Sequence, residues 1–523
     1  MIALAPGSRM ADLRGWAGMA DPVPSSARAG AALAAALVVA ALTVLTGHPD
    51  EMGPRFGWIF LVFALLAGPA VAAVLVLRPW HGLVAWAALM ALLNISRLQG
   101  WIGPIQVTQT TAFVAALAIG TWFDRDRTSW PRIGTVVALG LGAVGVLSWL
   151  ASPDPATAAP IVLHGVLEPI AAALLVVVLR PSARQLAALG GGLVLGVVLA
   201  SAYSIIRLGR VATTLAELEN MRVQLAHFTY YNVGIFGDVL ATIIPILIAF
   251  LIWRGTIGLG RLRVAIALGG LAILLAGLYL TYSKGAWLGS WLAVAAVIGV
   301  RFSRPRQLLA VIAGALLILA IIVPYPLYIL RALNIDAGAS NPYVKLISGV
   351  QGQRFSSWDV DSPDGEVSIS ERWRATQAGL RMAIDHPLLG VGPGRFGVEY
   401  ATAYADPGAT RHLGSPHNLF PEVAAELGLP AALLLLFAFA AAGLSAWRAA
   451  RGPDPFLRAL GGAFGAALLA FLAVTATFGL DLYRDYRVMN SDVIVAGLIV
   501  GACVALGTAL SGSPDHATPD AAG

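Results

Sequence analysis

One stretch of the chain, residues 371–428, gathers the side chains best suited to polar chemistry; it reads ERWRATQAGLRMAIDHPLLGVGPGRFGVEYATAYADPGATRHLGSPHNLFPEVAAELG. Near its end Pro416-His417-Asn418 opens an apolar run. Asn418, Glu422 and Glu426 follow at i, i+4 and i+8, a spacing that puts side chains on one helix face. An imidazole at a water boundary titrates near neutrality and is suited to taking a proton from a hydroxyl. A single boundary histidine is more commonly a cap. Here two acids enter an apolar segment behind it, and intramembrane carboxylates are costly unless they face a cavity or a partner. That favours function for His417. Glu426, the deepest of the three, reads as structural, paired with a cation or with backbone N–H groups.

The other end of the stretch supplies cations. Arg372 and Arg374 flank Trp373 in a segment that predicts an amphipathic helix, with Ala375, Ala378, Leu380, Met382 and Ala383 as its apolar residues and Ser370 as its cap. Such a helix can also lie on a bilayer with its arginines on water or lipid phosphate. Lys284, in Tyr282-Ser283-Lys284-Gly285, falls between two apolar runs with almost no loop. Taken alone it is a snorkelling anchor. With Arg372 and Arg374 on the same side of a membrane it becomes the third cation of a set that can hold a phosphate or diphosphate.

Other polar motifs lead nowhere. Gly390-Val391-Gly392-Pro393-Gly394-Arg395-Phe396 lacks the preceding strand and βαβ unit of a dinucleotide fingerprint, and is read as a tight turn that positions the polar helices. Asp359, Asp361 and Asp364 miss the calcium-loop spacing by one residue and no bidentate glutamate follows, so they read as a solvated acidic loop. The lone Cys503 excludes an intrachain disulfide and a thiolate metal cluster.

These residues must be positioned by helices in lipid. Of 523 residues 58% are hydrophobic and only 12% charged, with a mean hydropathy of +0.78, whereas a soluble chain carries about 25% charged residues. Continuous apolar runs recur from Ala31 onward, each able to cross the ~30 Å hydrocarbon core as a helix. The fold class is therefore an all-α polytopic membrane protein, with about 12–14 transmembrane helices and one long extracytoplasmic loop containing short helices. Residues 1–28 form an N-terminal tail without the pattern of a cleavable signal peptide. Residues 29–330 hold helices 1–11, including spans over 83–96, 105–123 and 160–179. Residues 331–417 form the loop, 418–510 hold helices 12–14, the first of them over 418–446, and 511–523 form a polar tail. Glycines at 190–196 suit close helix packing.

The excess of basic residues, net +6, sets orientation and gives no sign of nucleic-acid binding. With both termini in the cytoplasm, 18 of the 34 Lys and Arg lie on the inner side and 8 in short outer loops, which agrees with the positive-inside rule. The long loop, the 207–232 loop and Lys284 then share the outer face.

The strings SKGAWLG, ERWR…DHPLLGVGPGRF and HNLFPEVAAELGL, in this order, resemble the O-antigen ligase and Wzy-type polymerase superfamily over about residues 230–430. The resemblance implies an enzyme of the bacterial inner membrane that transfers a glycan from a polyprenyl-diphosphate carrier to an acceptor sugar hydroxyl, without metal or other cofactor. It implies that His417 is the base or orients the acceptor. Lys284, standing where the family has arginine, would bind the diphosphate together with Arg372. Arg222 and Asn232 match a less distinctive part of the pattern, and Asn418, Glu422 and Glu426 would support the site. The expected partners are the lipid-linked donor, a glycan or lipid A-core acceptor, and membrane lipid. Pro421 replaces the family's usual leucine. Acceptor identity leaves ligase, polymerase and protein O-oligosaccharyltransferase open. A transporter or flippase of lipid-linked oligosaccharide would also want outer cations, but it has no particular need of His417. A diphosphate is already a good leaving group, so cations that stabilise its developing charge and one base for the hydroxyl would suffice for displacement with inversion.

Overall fold

The structure is a computed structural model; it describes residues 25–46, 56–93, 99–102, 105–124, 132–211, 233–281, 283–302, 363–405, 413–477 and 491–511. Among these residues eight helices are long and apolar enough to cross a membrane, and four shorter apolar helices accompany them. The chain is a multi-pass, all-α membrane protein. In order the helices are α1 Ser26–Thr46, α2 Phe56–Leu77, α3 Pro79–Leu93, α4 Gln109–Phe123, α5 Arg132–Ala151, α6 Pro155–Val178, α7 Ala183–Val211, α8 Val233–Ile252, α9 Arg261–Thr281, α10 Lys284–Arg301, α11 Pro363–Asp385, α12 Leu419–Leu427, α13 Leu429–Arg451, α14 Pro455–Thr477 and α15 Ser491–Ser511. The expected helix-bearing outer loop 331–417 is described from 363, and Arg222, Asn232 and the Asp359–Asp364 motif lie outside the described residues.

α8 and α14 form the centre of the bundle. Of their most apolar windows 78% and 72% are buried, against 22% for α1, α9 and α13, whose leucines face outward as lipid-exposed helices require. α8 packs on α14, α10 and α9, α15 packs on α6, and α3 packs on α7. The α3–α7 contact depends on small residues. A Cβ on Gly192 would stand 2.8 Å from the Val84 carbonyl oxygen, and one on Gly196 would stand 2.8 Å from those of Ala87 and Ala88. Of the glycines at 190–196, Gly192 and Gly196 thus let two backbones approach directly.

The two ends of the bundle can be told apart. At one end, Arg28 at the start of α1 pairs with Asp124 beyond α4 at 2.8 Å and donates to the Val76 carbonyl near the end of α2. At the other end lie the α5–α6 turn, the α9–α10 corner at Lys284, the starts of α12 and α13, and the end of α14. Gly289 of α10 sits against Val474 of α14, and edge-to-face and tilted ring contacts run from Phe420 of α12 through Phe439 of α13 to Phe471 of α14.

Four boundaries differ from the sequence expectation. The 105–123 span begins with a short antiparallel hairpin, Gln99–Ile102 paired with Ile105–Thr108, and is helical only from Gln109. α3 runs Pro79–Leu93 instead of 83–96, because Pro79 ends α2 and is tolerated in the first turn of the next helix. Ser370 lies inside α11 and does not cap it; the helix extends back to Pro363, whose fixed φ suits a first helical position. The 418–446 span is broken at Gly428 into α12 and α13.

α6 contains a π-helical turn, Val162–Leu167, and carries a polar cluster. His164 Nδ1 lies 3.0 Å from Glu168 Oε1, which also accepts from the Thr111 hydroxyl in the first turn of α4. Both His164 and Glu168 are buried.

A side chain at position 196 has no room against backbone oxygens. Gly196→Val should therefore lower stability by roughly 1–3 kcal/mol, read as a fall in thermal unfolding midpoint in detergent, while Gly191→Ala, at an open position of the same helix, should leave it unchanged.

Candidate active site

α12 is only nine residues long, and it places two stripes of side chains at right angles. Leu419, Val423 and Leu427 line an apolar cavity of about 340 Å³ bounded by α5, α6, α13, α14 and α15. Asn418, Glu422 and Glu426 form the neighbouring stripe. Asn418 is the N-cap residue, extended at φ −152° and ψ 119°, but its side chain makes no capping bond. Glu422 and Glu426 are both buried.

Glu426 organises the loop in front of it. Its Oε2 accepts the Gly394 N–H at 2.7 Å and its Oε1 accepts the Phe396 N–H at 2.9 Å, so backbone N–H groups, one of the two partners anticipated, hold it. Around this carboxylate the 386–395 turn closes on α12. Val391 N–H donates to the Ala425 carbonyl at 2.8 Å, Gly392 N–H to that of Glu426 at 3.2 Å, and Leu429 N–H to that of Pro387 at 2.8 Å. The turn needs its glycines. Gly390 has φ +67°, and a Cβ there would stand 2.3 Å from the Glu426 backbone. Gly428, at φ +90°, would clash with the Leu388 carbonyl at 2.4 Å. The break between α12 and α13 is thus the seat of the turn. The Ser148 hydroxyl of α5 lies within reach of both the Leu389 and Glu426 carbonyls, at 2.7 and 3.0 Å.

His417 precedes this element in an unusual backbone state. Its φ is +52°, the left-handed region, one of two such non-glycine residues among those described. That conformation costs a non-glycine residue about 1–3 kcal/mol and persists only where the surroundings hold it. The His417 N–H donates to Ser415 Oγ at 3.2 Å, and the Thr376 hydroxyl of α11 donates to the Pro416 carbonyl at 3.0 Å. The imidazole is half-buried.

α11 buries Ala375, Ala378 and Met382 against Val391, Phe396, Tyr400 and Ala425, and Ala383 is buried too, whereas Leu380 is exposed on the opposite face. Its Arg372 is partly buried. Arg374 pairs with the buried Glu371 at 3.3 Å, so part of its charge is already committed within the helix. The Lys284 backbone opens α10 at the same end of the bundle, after Ser283, whose hydroxyl accepts the Ala286 N–H at 3.4 Å. The start of α8 packs on this corner: a Cβ on Gly237 would meet that of Ser283 at 3.0 Å.

Sequence reasoning passed over three ionisable residues. Asp238 follows Gly237 at the Lys284 corner, and His164 and Glu168 lie in α6; all three are buried. The available signal was an ionisable side chain inside an apolar run.

Burial pushes the Glu426 carboxyl up, to about 7, against the opposing pull of the Gly394 and Phe396 N–H groups. Because this lies above the ordinary 4.5, the fold favours the protonated form. Stability should fall as pH rises from about 4.5 to about 7, by up to about 3 kcal/mol. In Glu426→Gln that slope should shrink while one backbone N–H loses its acceptor, at about 1–3 kcal/mol. Thermal unfolding across this pH range checks both.

No curated protein matches the chain. A family model described as O-antigen ligase matches residues 269–436, a stretch that holds Lys284, α11, the glycine turn, His417 and α12. The match supports a role in glycan transfer in general. Over residues 269–436 the chain is similar to the O-antigen ligase superfamily.

Proposed function

We propose that the chain transfers a glycan from a polyprenyl-diphosphate carrier to an acceptor sugar hydroxyl at the extracytoplasmic face of the bacterial inner membrane, with both termini cytoplasmic. The observation that carries this reading is the His417-Asn418 corner. A half-buried imidazole on a strained backbone stands at the head of a helix whose next stripe lines an apolar cavity. The head of that helix suits a hydroxyl and a diphosphate, and its apolar stripe suits an isoprenoid chain.

In this mechanism His417 accepts the proton of the acceptor hydroxyl as its oxygen attacks the anomeric carbon. The new C–O bond forms as the bond from that carbon to the diphosphate oxygen breaks, with inversion. The electron pair leaves on the polyprenyl diphosphate, where Lys284 and Arg372 stabilise the developing charge. Arg374, shared with Glu371, orients the donor more weakly. Arg222 and Asn232 complete the donor set, Asn418 orients the acceptor, and Glu422 and Glu426 hold the corner. A lipid A-core acceptor makes the reaction a ligation, the growing glycan a polymerisation, and a protein hydroxyl a protein O-glycosylation.

A transfer assay in nanodiscs with a polyprenyl-diphosphate oligosaccharide, a chelator and these three acceptors tests the reading. His417→Ala should lose product by at least about a hundredfold, the scale of general-base catalysis. His417→Gly, which suits φ +52° without strain, should fold at least as well and be equally inactive. Transfer retained by either variant would remove His417 from the mechanism. Lys284→Arg should keep or raise activity, since a guanidinium grips phosphate with two prongs; a folded but inactive arginine variant would argue against diphosphate binding there.

A further inference from the structure

The helix that braces His417 has a second apolar face, which the described residues leave exposed. Opposite its buried alanines and methionine, Trp373, Leu380 and Ile384 are 60%, 47% and 73% exposed. At 3.6 residues per turn they fall on one line about 16 Å long. Leu388, 71% exposed, continues that line just beyond the helix. Gln377, Arg381 and Asp385, all exposed, border it. A row of large exposed apolar side chains beside polar ones marks an interaction surface.

Two hydrogen bonds join the chain just beyond this row to the ends of two membrane spans. The Leu389 carbonyl accepts from Ser148 of α5, and the Pro387 carbonyl accepts from Leu429 of α13. Close to those junctions α5 exposes Leu147 and Leu150, and α13 exposes Leu429 and Leu433. These are outward faces of membrane spans. The apolar band of the spans therefore runs on through Leu388 to Ile384, Leu380 and Trp373.

We infer that α11 lies in the interface of the bilayer leaflet at this end, with Trp373, Leu380, Ile384 and Leu388 at the boundary between headgroups and acyl chains. Tryptophan favours that boundary. The flank of the same helix reaches His417, since Thr376 donates to the Pro416 carbonyl and Gly379 packs on Pro416 and Pro421. The lipid contact thereby sets the depth of the His417 corner at headgroup level. This inference stands whether or not the site transfers a glycan.

Spin-label accessibility tests it on the full chain. Single cysteines are placed at Leu380, Ile384 and Leu388, with Asp385 as control, in a Cys503→Ala background. The labelled protein is reconstituted in phosphatidylethanolamine–phosphatidylglycerol vesicles. Collision with oxygen, relative to a water-soluble nickel chelate, should be several-fold higher at the three stripe positions than at Asp385, with depths of about 5–10 Å below the headgroups. Stripe labels that collide mainly with the nickel chelate would put the face in water. Labels that reach neither reagent would mean that protein, from this chain or another copy, covers it. Either result overturns the inference.

Discussion

The Glu426 carboxylate is buried at the end of a nine-residue helix and takes backbone N–H groups from Gly394 and Phe396 on its two oxygens. Each such bond contributes about 0.5–1.5 kcal/mol net, and burial raises the cost of leaving either donor unmade. Around this contact the 386–395 turn, the break at Gly428 and the end of α5 close into one unit. The polar segment is thereby fastened to the membrane bundle at a single well-satisfied point. Without it the turn would have neither a seat nor a reason for three glycines at positive φ.

From that point the site is built by division of labour along α12. One stripe faces the polar loop and the next faces the apolar cavity, so a single short helix separates two solvents about 100° apart. A continuous span would carry Asn418 and Glu422 into lipid with no change of direction. The break at Gly428 lets α12 stop early and α13 begin afresh against the Pro387 carbonyl. The strain at His417 belongs to the same design. Its backbone is held left-handed by Ser415 and by the Thr376 bond to Pro416, which ties the imidazole to a helix packed on the loop side.

The membrane class, the helical content and the segment that carries the polar residues were legible in the sequence, because each depends on local composition. Lipid demands long apolar runs with internally satisfied backbones, and those runs can be counted without knowing their neighbours. The i, i+4, i+8 stripe of Asn418, Glu422 and Glu426 and the small residues of α7 were legible for the same reason: helical period fixes which side chains share a face. The short hairpin before α4 was less so, since its strands are four residues each and carry no period a helix lacks.

Tertiary contact decided the rest. The sequence alone determined that Gly390 and Gly428 could adopt positive φ; only the close approach of their two backbones decided that they must. It determined that Glu426 needed a partner, and the fold chose backbone N–H groups thirty and more residues away in chain order. It showed Leu380 as one more apolar residue of an amphipathic helix, whereas packing divided those residues between a buried face and an exposed one. Local pattern fixes the faces of a helix, but what each face meets depends on elements distant in the chain, and that is settled only when they pack.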